Sequence, residues 1–349
     1  MLPPLCLDPE LGGTVVDLCA SPGSKTGVLA ELVGERGLVV ANEPKPKRYQ
    51  NLRQNMRLVN LPQVITTGCK AEEYPDAQRW KWILLDVPCS GWGTAEKNPK
   101  VMTLWREDNI QPLQKLQRNL LARAASILAP GGRLVYSTCT TNRAENEDQI
   151  LWAADMFGLQ VEPLSLRPGF AFDPPLSAQA QGVLRVNGPA CGGQSFFVAG
   201  LHKPMQGSGP IQREEDNCSE EVCVAAEALS RLKVDVNWNG LPPGRVEMDN
   251  ESLIFRPGPA GEYAPNVKWQ GMVLGRGRKG LRLSPRARRL VPGKGHSQAL
   301  VLSSIGEVHK LLQGQSLPAP GPGPLAPLYW RDLPLGWVTV KGRRCMWTD

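Results

Sequence analysis

Histidine is scarce in this chain of 349 residues, and closely paired cysteines are absent. All three histidines lie at or after His202, so chemistry in the preceding part must proceed without an imidazole base. This argues against Ser-His-Asp and Cys-His hydrolases. The nine cysteines include no Cys-x-x-Cys pair and are odd in number. They are typical of free thiols in a reducing compartment, so we expect neither a disulfide framework nor a metal site.

Long apolar runs are also missing. The sequence has no stretch of about 18 apolar residues, the length that a membrane-spanning helix requires. Nor does it open with a basic segment followed by an apolar one, as a signal peptide does. We therefore expect a cytoplasmic protein with no membrane partner, and we expect it to be a monomer. The chain is long enough for two domains, each with a core of its own.

What the chain does have is an alternation of short apolar runs with amphipathic segments. The runs predict strands at residues 14–18, 38–42, 64–67, 83–86 and 133–137, and the clearest helices are predicted at 45–58 and 111–128. The second helix should stop at Pro130-Gly131-Gly132. This alternation indicates βαβ units and an α/β fold, a doubly wound parallel sheet covered by helices on both faces.

Two cysteines follow two of these predicted strands at the same position. Cys89 ends Asp86-Val87-Pro88-Cys89, and Cys139 ends Ser137-Thr138-Cys139. In an open α/β sheet, ligands bind at the edge where the parallel strands end. Thiols at that edge are candidate nucleophiles, because helix N-termini and cations favour the thiolate. The alternative is that both are small apolar side chains that fill the core.

A loop of small residues follows the first predicted strand, from Asp17 to Thr26. Small side chains let a ligand approach the backbone amides at the start of a helix. The spacing matches neither a P-loop nor Gly-x-Gly-x-x-Gly, so a dinucleotide is not favoured. Glu43 follows the second strand, where a carboxylate can accept hydrogen bonds from ribose hydroxyls. Together they suit a nucleoside without a pyrophosphate, although Glu43 alone is equally consistent with a helix cap or a solvated side chain.

Taken together, these segments resemble the NOL/NOP/SUN family of S-adenosylmethionine-dependent RNA (cytosine-5)-methyltransferases. The resemblance includes both cysteine motifs, Glu145-Asn146-Glu147 soon after the second, and a last strand at residues 194–199. It covers roughly residues 1–201 and is greatest to the bacterial ribosomal methyltransferase F group and its eukaryotic transfer-RNA relatives. It implies a Rossmann-like methyltransferase sheet.

The resemblance also implies roles for individual residues. Cytosine C5 is a weak nucleophile, so the enzyme first adds a thiolate to C6. This attack falls to Cys139 and product release to Cys89. Asp86 would hydrogen-bond the edge of the cytosine ring, and Lys25 would be a cation near the strand ends. The predicted contacts of S-adenosylmethionine are Cys19, Ala20, Ser21, Pro22, Gly23, Ser24, Lys25, Glu43 and Asp86.

The chain departs from the family pattern in two places. Gly68-Cys69-Lys70 stands where relatives carry an acidic residue that contacts adenine, and Glu72 or Glu73 is the expected substitute. Residues 1–5 resemble the interior of the family's segment just before the cofactor loop. The upstream RNA-binding subdomain of relatives is therefore expected to be missing, through a misassigned gene start or a truncation.

The composition and charge of the sequence change after residue 202. We predict a methyltransferase domain at 1–202, a linker at 203–222 and a basic, β-rich RNA-binding domain at 223–349, with strands near 298–303 and 336–340 and a loop at 317–327. Residues 328–347 resemble the end of the PUA-like domain of the methyltransferase F group. Sixteen of the chain's basic residues and only seven acidic ones lie from Arg245 onward.

The densest basic cluster in that region contains no acidic residue. It is a predicted phosphate-binding surface, and the alternative is a solvated basic face without a ligand. Its members are Arg276, Arg278, Lys279, Arg282, Arg286, Arg288 and Arg289.

The sequence therefore predicts an S-adenosylmethionine-dependent RNA cytosine-5 methyltransferase acting on ribosomal or transfer RNA. One alternative is a non-catalytic RNA-binding protein on a methyltransferase scaffold, against which intact Cys89, Cys139, Asp86 and Lys25 argue. The other is a dehydrogenase, which the absent glycine fingerprint disfavours.

Overall fold

A computed structural model describes residues 1–76, 79–95, 99–104, 110–205, 221–260, 268–278 and 280–348. The described part divides into two compact units. The first contains residues 1–53, 66–205 and 268–269, and the second contains 221–260 and 270–348 together with 54–65. Most of the predicted linker, residues 206–220, lies outside the described residues. The boundaries at 202 and 222 therefore stay a prediction.

The N-terminal unit is built on one mixed sheet. Its strands are β1 (Thr14–Asp17), β2 (Leu38–Asn42), β3 (Val64–Thr67), β4 (Trp80–Asp86), β5 (Leu128–Thr138), β6 (Gln160–Glu162), β7 (Phe172–Asp173), β8 (Leu184–Val186) and β9 (Phe196–His202). The sheet order includes β3-β2-β1-β4-β5-β9-β8-β7, and β6 also pairs with β9. Strand β1 pairs in parallel with β2 and β4, as does β4 with β5. From β9 to β7 the pairing is antiparallel.

Helices connect these strands. They are α1 (Leu2–Leu7), α2 (Ser24–Val33), α3 (Pro46–Val59), α4 (Lys100–Leu104), α5 (Ile110–Ile127) and α6 (Glu147–Phe157), with short 3-10 turns at Ala71–Glu73, Trp92–Thr94, Arg143–Glu145 and Pro189–Cys191. Every residue of β2 is buried, as expected for a parallel strand covered on both faces. The predicted α/β sheet is thus confirmed. All five predicted strands and both predicted helices form, with shifts at their ends. Pro130-Gly131-Gly132, predicted to stop the second helix, instead lie inside β5, because α5 already ends at Ile127 and the strand begins at Leu128.

The C-terminal unit is β-rich. Its first sheet has the order β10 (Val222–Val224), β11 (Gly244–Asp249), β12 (Ser252–Pro257), β14 (Met272–Arg276) and β15 (Arg282–Leu283). A short strand, β13 (Trp269–Gln270), belongs to neither sheet of this unit, and its first residue falls in the N-terminal unit. The second sheet contains β16 (Leu300–Leu302), β17 (Leu317–Pro318), β18 (Leu325–Trp330), β19 (Leu333–Lys341) and β20 (Arg344–Met346). Its helices are α7 (Ala226–Arg231) and α8 (Ile305–Leu312), with 3-10 turns at Trp238–Gly240 and Arg288–Leu290.

Strand β19 contributes to two hydrophobic cores of this unit. Trp337 packs in a cluster with Phe255 and Leu274 of the first sheet, and its indole N–H donates to the Ala287 carbonyl at 3.1 Å. The next residue, Val338, packs in a second cluster with Leu302. Successive side chains of a strand point to opposite faces, so one strand serves both cores.

The β-rich C-terminal unit agrees with the expected PUA-like domain. The strands predicted near 298–303 and 336–340 are β16 and β19. The predicted loop at 317–327 was wrong at both ends, where β17 and the start of β18 lie. Proline is tolerated here because β17 is a two-residue strand at the end of the sheet order, and because Pro327 precedes the residues of β18 that pair with β16. Within the described residues, no helix is long and apolar enough to cross a bilayer.

Candidate active site

The two predicted thiols meet at the end of the parallel sheet. Strands β4 and β5 are neighbours, with Asp86 opposite Ser137, so the segments that follow them begin side by side. The sulfur atoms of Cys89 and Cys139 lie 3.1 Å apart. The backbone N–H of Cys139 also donates to the Cys89 sulfur at 3.2 Å. The geometry is that of one thiol group donating a hydrogen bond to the other.

This hydrogen bond makes the two thiols unequal. It lowers the pKa of Cys139, with a further contribution from the Lys25 ammonium, although burial opposes the shift. The hydrogen bond to Cys139 and burial together raise the pKa of Cys89. The pair therefore ionises first at Cys139, with Cys89 as the proton donor. A thiolate is the reactive form of cysteine, so the asymmetry favours Cys139 as the nucleophile.

Asp86 lies at the centre of the polar contacts beside the thiols. One carboxylate oxygen accepts from the Lys25 ammonium at 2.6 Å, and the other accepts from the Ser137 hydroxyl at 2.6 Å. Burial lowers the pKa of Lys25, but the Asp86 carboxylate outweighs burial and raises it. Lys25 is thus held as a cation. The structure places Lys25 and Asp86 together at the strand ends, where the sequence predicted both.

The small-residue loop carries a buried carboxylate at its start. Gly23 adopts a left-handed conformation with φ of 106° just before α2 begins at Ser24. Asp17 is 1 % exposed and accepts from the Thr26 hydroxyl at 2.7 Å. Burial raises the pKa of Asp17 to about 7, against the effect of that hydrogen bond. The other Asp17 oxygen has no hydrogen-bond partner among the described residues, which leaves an acceptor available to a ligand.

Glu43 is buried and already has partners. One carboxylate oxygen accepts from the Lys45 N–H at 3.0 Å near the start of α3, so the capping alternative is partly correct. The solvated alternative is wrong, because Glu43 is only 2 % exposed. The other oxygen lies 3.2 Å from the Arg48 guanidinium. Arg48 also donates to the Ser21 carbonyl at 2.8 Å, which joins Glu43 to the loop.

The two expected substitutes for the adenine contact have other neighbours. Glu73 pairs with Lys70 at 3.0 Å on the surface, and both side chains are about two-thirds exposed. Glu72 lines a cavity with Asn119 and Arg123 of α5. The expected adenine contact of Glu72 or Glu73 therefore stays a prediction.

The segment that replaces the family's acidic residue is instead held by Asn42. The Asn42 side chain accepts from the Thr67 hydroxyl and the Cys69 N–H and donates to the Cys69 carbonyl, at 2.9–3.0 Å.

Glu145 connects the segments that carry the two cysteines. Its fully buried carboxylate accepts from the Ser90 N–H at 2.9 Å and from the Gln117 amide at 3.0 Å. Asn142 donates to the same carboxylate. Ser90 directly follows Cys89, whereas Asn142 lies three residues after Cys139. A buried carboxylate that is fully hydrogen-bonded rigidifies its surroundings, so Glu145 fixes one cysteine segment against the other.

The rest of the Glu145-Asn146-Glu147 motif is buried as well. Asn146 accepts from the Thr138 hydroxyl at 2.6 Å and donates to the Thr140 carbonyl at 3.1 Å. These two threonines flank Cys139. Glu147 forms an ion pair with Arg185 of β8, at 2.9 Å. Arg185 also donates to the Thr141 carbonyl, so Asn146 and the Glu147–Arg185 pair both stabilise the segment that carries Cys139.

Gly93 makes a tight backbone junction beside the thiols. Its N–H donates to the Cys139 carbonyl at 2.9 Å, and its carbonyl accepts from the Ser195 N–H at 3.1 Å. A Cβ atom at this position would lie 1.9 Å from the Ser195 carbonyl oxygen. Only glycine allows this approach of three segments.

The predicted phosphate-binding cluster divides in the structure. Arg276 and Arg282 are exposed and lie directly opposite each other on β14 and β15. With Lys233 and Lys341 they line a cavity of about 560 Å³. Exposed Arg278 is 3.4 Å from Glu251.

The other members of the cluster have different environments. Arg288 is exposed. Arg286 and Arg289 are half-buried, and Arg289 donates to the Gly240 carbonyl at 3.4 Å. Lys279 lies outside the described residues. The cluster is therefore not one uniform exposed surface.

Sequence reasoning missed several residues that organise the site. Arg48 and Gln117 are polar residues on helices with nothing in their local sequence to distinguish them. Gly93 follows the Cys89 motif closely, and its proximity to that motif is the only signal that could have marked it. Lys233 and Lys341 lie outside the dense arginine run, so charge counting overlooked them.

A mixed α/β sheet with a small-residue loop after β1, an acidic residue after β2 and two thiols in contact after β4 and β5 defines a Rossmann-like methyltransferase. The family described as 16S rRNA methyltransferase RsmB/F matches residues 4–202, and the chain belongs to this family. The resemblance found in the sequence is thereby confirmed. The family comprises S-adenosylmethionine-dependent RNA (cytosine-5)-methyltransferases.

Curated relatives and solved structures agree with this family assignment. Ribosomal RNA small subunit methyltransferase F of Shewanella loihica is 36 % identical over 213 residues, or 58 % of this chain and 43 % of the relative. Its counterpart in Shewanella amazonensis is 37 % identical over 58 % and 44 % of the two chains. NSun6 from Pyrococcus horikoshii, solved with SFG, is similar with a TM-score of 0.53 and 28 % identity, over 59 % of this chain and 51 % of that one. The chain spans less than half the length of the two curated relatives.

Proposed function

We propose that this protein methylates C5 of a cytosine in RNA with S-adenosylmethionine as the methyl donor, and that the RNA is ribosomal. The observation that carries the proposal is the 3.1 Å contact between Cys89 and Cys139. It lies beside the Lys25–Asp86 ion pair in a chain of this family. The names of the curated relatives support ribosomal RNA as the substrate class.

The loop after β1 fits S-adenosylmethionine. Cys19, Ala20, Ser21, Pro22, Gly23 and Ser24 would let the ligand approach the backbone, and they lead into the N-terminus of α2. The partnerless Asp17 oxygen is suited to the amino group of the methionine part. Glu43 is suited to the ribose hydroxyls, because a carboxylate oxygen has more than one lone pair to offer. When bound, the cofactor supplies an electrophilic methyl group on its sulfonium.

The residues of the chain then act on the cytosine. The Cys139 thiolate forms a bond to C6, and the electron pair of the C5–C6 bond becomes available at C5. Asp86, held by Lys25 and Ser137, would hydrogen-bond the ring edge and stabilise the adduct. After C5 has gained the methyl group, water accepts its proton, the electron pair of the C5–H bond restores the C5–C6 double bond, and the C6–S bond breaks with its electron pair returning to Cys139. Cys89, in contact with the Cys139 sulfur, lies where its thiol can donate a hydrogen bond to the departing sulfur and so assist this release.

The direct test is transfer of tritium from methyl-labelled S-adenosylmethionine to RNA. We expect label in unmethylated ribosomal RNA, and bisulfite sequencing should locate it at one cytosine. Label in transfer RNA alone would shift the substrate class. RNA binding without any transfer would support the non-catalytic alternative instead.

Glu43→Ala should weaken S-adenosylmethionine binding by about tenfold to a hundredfold, because a hydrogen bond to a charged group contributes about 1.5–3 kcal/mol. Isothermal titration calorimetry measures this change. Glu10→Ala, which removes an exposed carboxylate paired with Lys81, is the matched control and should bind normally. If the Glu43 variant keeps its melting temperature and binds as tightly as the unmodified protein, Glu43 is not a cofactor contact.

Arg276→Gln combined with Arg282→Gln should weaken RNA binding and reduce its salt dependence. Like charges directly opposite on paired strands destabilise a sheet, and bound phosphate would relieve that repulsion. Each lost phosphate contact reduces the slope of log affinity against log salt by about 0.7–0.9. Arg231→Gln, which removes an arginine already paired with Glu227 at 2.7 Å, is the control. An unchanged slope in the double variant would assign the pair to solvated surface.

The proposal also includes the domain assignment and the state of the protein. Residues 1–202 would carry catalysis, 203–222 would be a linker, and 223–349 would bind RNA. A monomer in the cytoplasm is part of the same proposal.

A further inference from the structure

A row of apolar residues crosses the antiparallel part of the sheet and ends close to the segment that carries Cys139. Phe172 of β7 lies opposite Val186 of β8, and Val186 lies opposite Phe196 of β9. The next strand, β5, is in register with Phe197 opposite Thr138. Beyond this pair Gly93 lies between the two segments, because its N–H donates to the Cys139 carbonyl and its carbonyl accepts from the Ser195 N–H. The row therefore runs from the outer strand β7 to Phe196, which Gly93 links to the segment that carries Cys139.

The row lies on the same face of the sheet as the catalytic groups. Ser137 is opposite Val198 on β9 and opposite Asp86 on β4. Alternate residues of a strand share a face, so Phe196 shares the face of Val198, Ser137 and Asp86. Phe197, on the opposite face, is 1 % exposed and packs edge-on against Tyr136. The two neighbouring phenylalanines thus have different environments, one in the core and one on the catalytic face.

Phe170 completes an aromatic cluster over this row. Its ring centroid lies 6.2 Å from that of Phe172 and 6.5 Å from that of Phe196, with the latter pair edge to face. Phe170 is 37 % exposed, and Phe172 and Phe196 are partly exposed. The intervening Val186 is only 3 % exposed. The cluster therefore presents ring surface to solvent.

The backbone that carries Phe170 and Phe172 is fixed rather than free. Ala171, between them, donates its N–H to the Cys191 sulfur at 3.0 Å and accepts from the Asn187 N–H at 2.9 Å. The Asn187 side chain also donates to Asp173 at 2.9 Å. Aromatic side chains held in place lose little conformational freedom when they bind a ligand, which favours binding.

We propose that Phe170, Phe172 and Phe196 form a stacking platform for an unpaired base of the RNA, adjacent to the target cytosine. This inference rests on the proposed function. Because the row ends at Phe196, which Gly93 links to the Cys139 segment, a ligand that covers the row lies close to the base that the thiolate attacks. A base under chemical attack must leave its stack, and proteins hold unstacked RNA bases on aromatic side chains. From the position of the row we therefore assign a nucleobase as the ligand that covers it.

The test uses the full chain and a fluorescein-labelled single-stranded RNA of about 16 nucleotides that contains one cytosine. Phe170→Leu keeps apolar bulk but removes the ring. We expect the dissociation constant to rise about 5-fold to 150-fold by fluorescence anisotropy, in line with the usual effect of losing one stacked base. Phe170→Trp should retain the affinity of the unmodified protein.

Phe157→Leu is the matched control. Phe157 is also a partly buried ring, packed edge-on against Trp152 at 5.5 Å. Phe157 ends α6 just before β6, where Gln160 pairs with His202 at the other end of β9 from Phe196. Its replacement should leave RNA binding unchanged.

A second probe separates stacking from support of the local fold. Two further RNAs carry an abasic site, one in place of the base before the cytosine and one in place of the base after it. One of these two RNAs should bind the unmodified protein as weakly as the intact RNA binds Phe170→Leu. The two losses should not add when variant and abasic probe are combined, because they remove the same contact. Fully additive losses, or equal affinity of Phe170→Leu and the unmodified protein, would overturn the platform.

The outcomes also distinguish this inference from the proposed function. Methyl transfer by the unmodified protein with no effect of Phe170→Leu overturns the platform alone. Non-additive losses in a protein that transfers no methyl group support the platform and reject the proposed activity. Concentration-dependent dimerisation that Phe170→Leu abolishes, without a change in RNA affinity, would identify a second copy of the chain as the occupant and overturn the inference.

Discussion

Cys89→Ala is expected to leave RNA covalently attached to the protein, whereas Cys139→Ala should abolish both the adduct and methylation. The reason lies in the shared hydrogen bond. The hydrogen bond between the two thiols lowers the pKa of Cys139 and, together with burial, raises that of Cys89. We therefore expect Cys139 to be the thiol that attacks C6. Without Cys89 the attack and methyl transfer still proceed, but release of the product is slowed.

Denaturing gels with radiolabelled RNA and S-adenosylmethionine measure the adduct, and tritium transfer measures methylation. The experiment should be run at a pH high enough to ionise Cys139 in the variant, because loss of the Cys89 donor raises the Cys139 pKa. Cys223→Ala, which removes an exposed cysteine of the C-terminal unit, is the control and should behave as the unmodified protein. A trapped adduct in Cys139→Ala and none in Cys89→Ala would reverse the two roles. Normal methylation in both variants would reject the covalent mechanism.

The strands of the parallel sheet were predictable because burial on both faces produces continuous apolar runs. Residues 38–42 and 64–67 are buried throughout, and the sequence shows exactly such runs there. The strand ends were predictable for the same reason, since polar residues and small loops follow each run. The adjacency of Cys89 and Cys139 then follows from the rule that ligand sites lie at the carboxyl ends of neighbouring parallel strands.

The hydrogen bonds of Glu145 that fix the two cysteine segments were not predictable. Glu145 accepts from Ser90 and Gln117, which are 55 and 28 residues away in the chain. Such partners are set by how α5 packs against the sheet, and no local pattern records that packing. The motif was visible in the sequence, but its role was not.

The aromatic row shows a related limit. Phe170, Phe172 and Phe196 were not singled out, because their alignment depends on the register of two antiparallel pairings. A shift of one residue in either pairing would move the rings to the other face. Charge counting had a similar limit, since it weighted Arg289 and Arg276 equally. The structure separates them, with Arg276 exposed and Arg289 half-buried.

Asp86→Asn should reduce methylation by about a hundredfold to ten-thousandfold, the usual contribution of a positioned proton donor or acceptor, while making Cys139 more reactive. These effects go in opposite directions for a physical reason. The Asp86 carboxylate raises the pKa of Cys139, and the Lys25 ammonium lowers it. Removing the negative charge therefore lowers the Cys139 pKa further, so the thiolate persists to lower pH. The same change removes the group that would stabilise the cytosine adduct and leaves the Lys25 ammonium without its carboxylate partner.

Alkylation of Cys139 by iodoacetamide, followed across pH by peptide mass spectrometry, measures the first effect, and tritium transfer measures the second. Asp148→Asn is the matched control, because it removes an exposed carboxylate paired with Arg143 at 2.8 Å, and it should change neither. Loss of methylation together with loss of alkylation at every pH would indicate a disrupted site rather than a role for the carboxylate. A Cys139 profile that moves to higher pH would contradict the electrostatic argument. Unchanged methylation would remove Asp86 from the chemistry, because a carboxylate that stabilises the adduct cannot be replaced by an amide without a loss of rate.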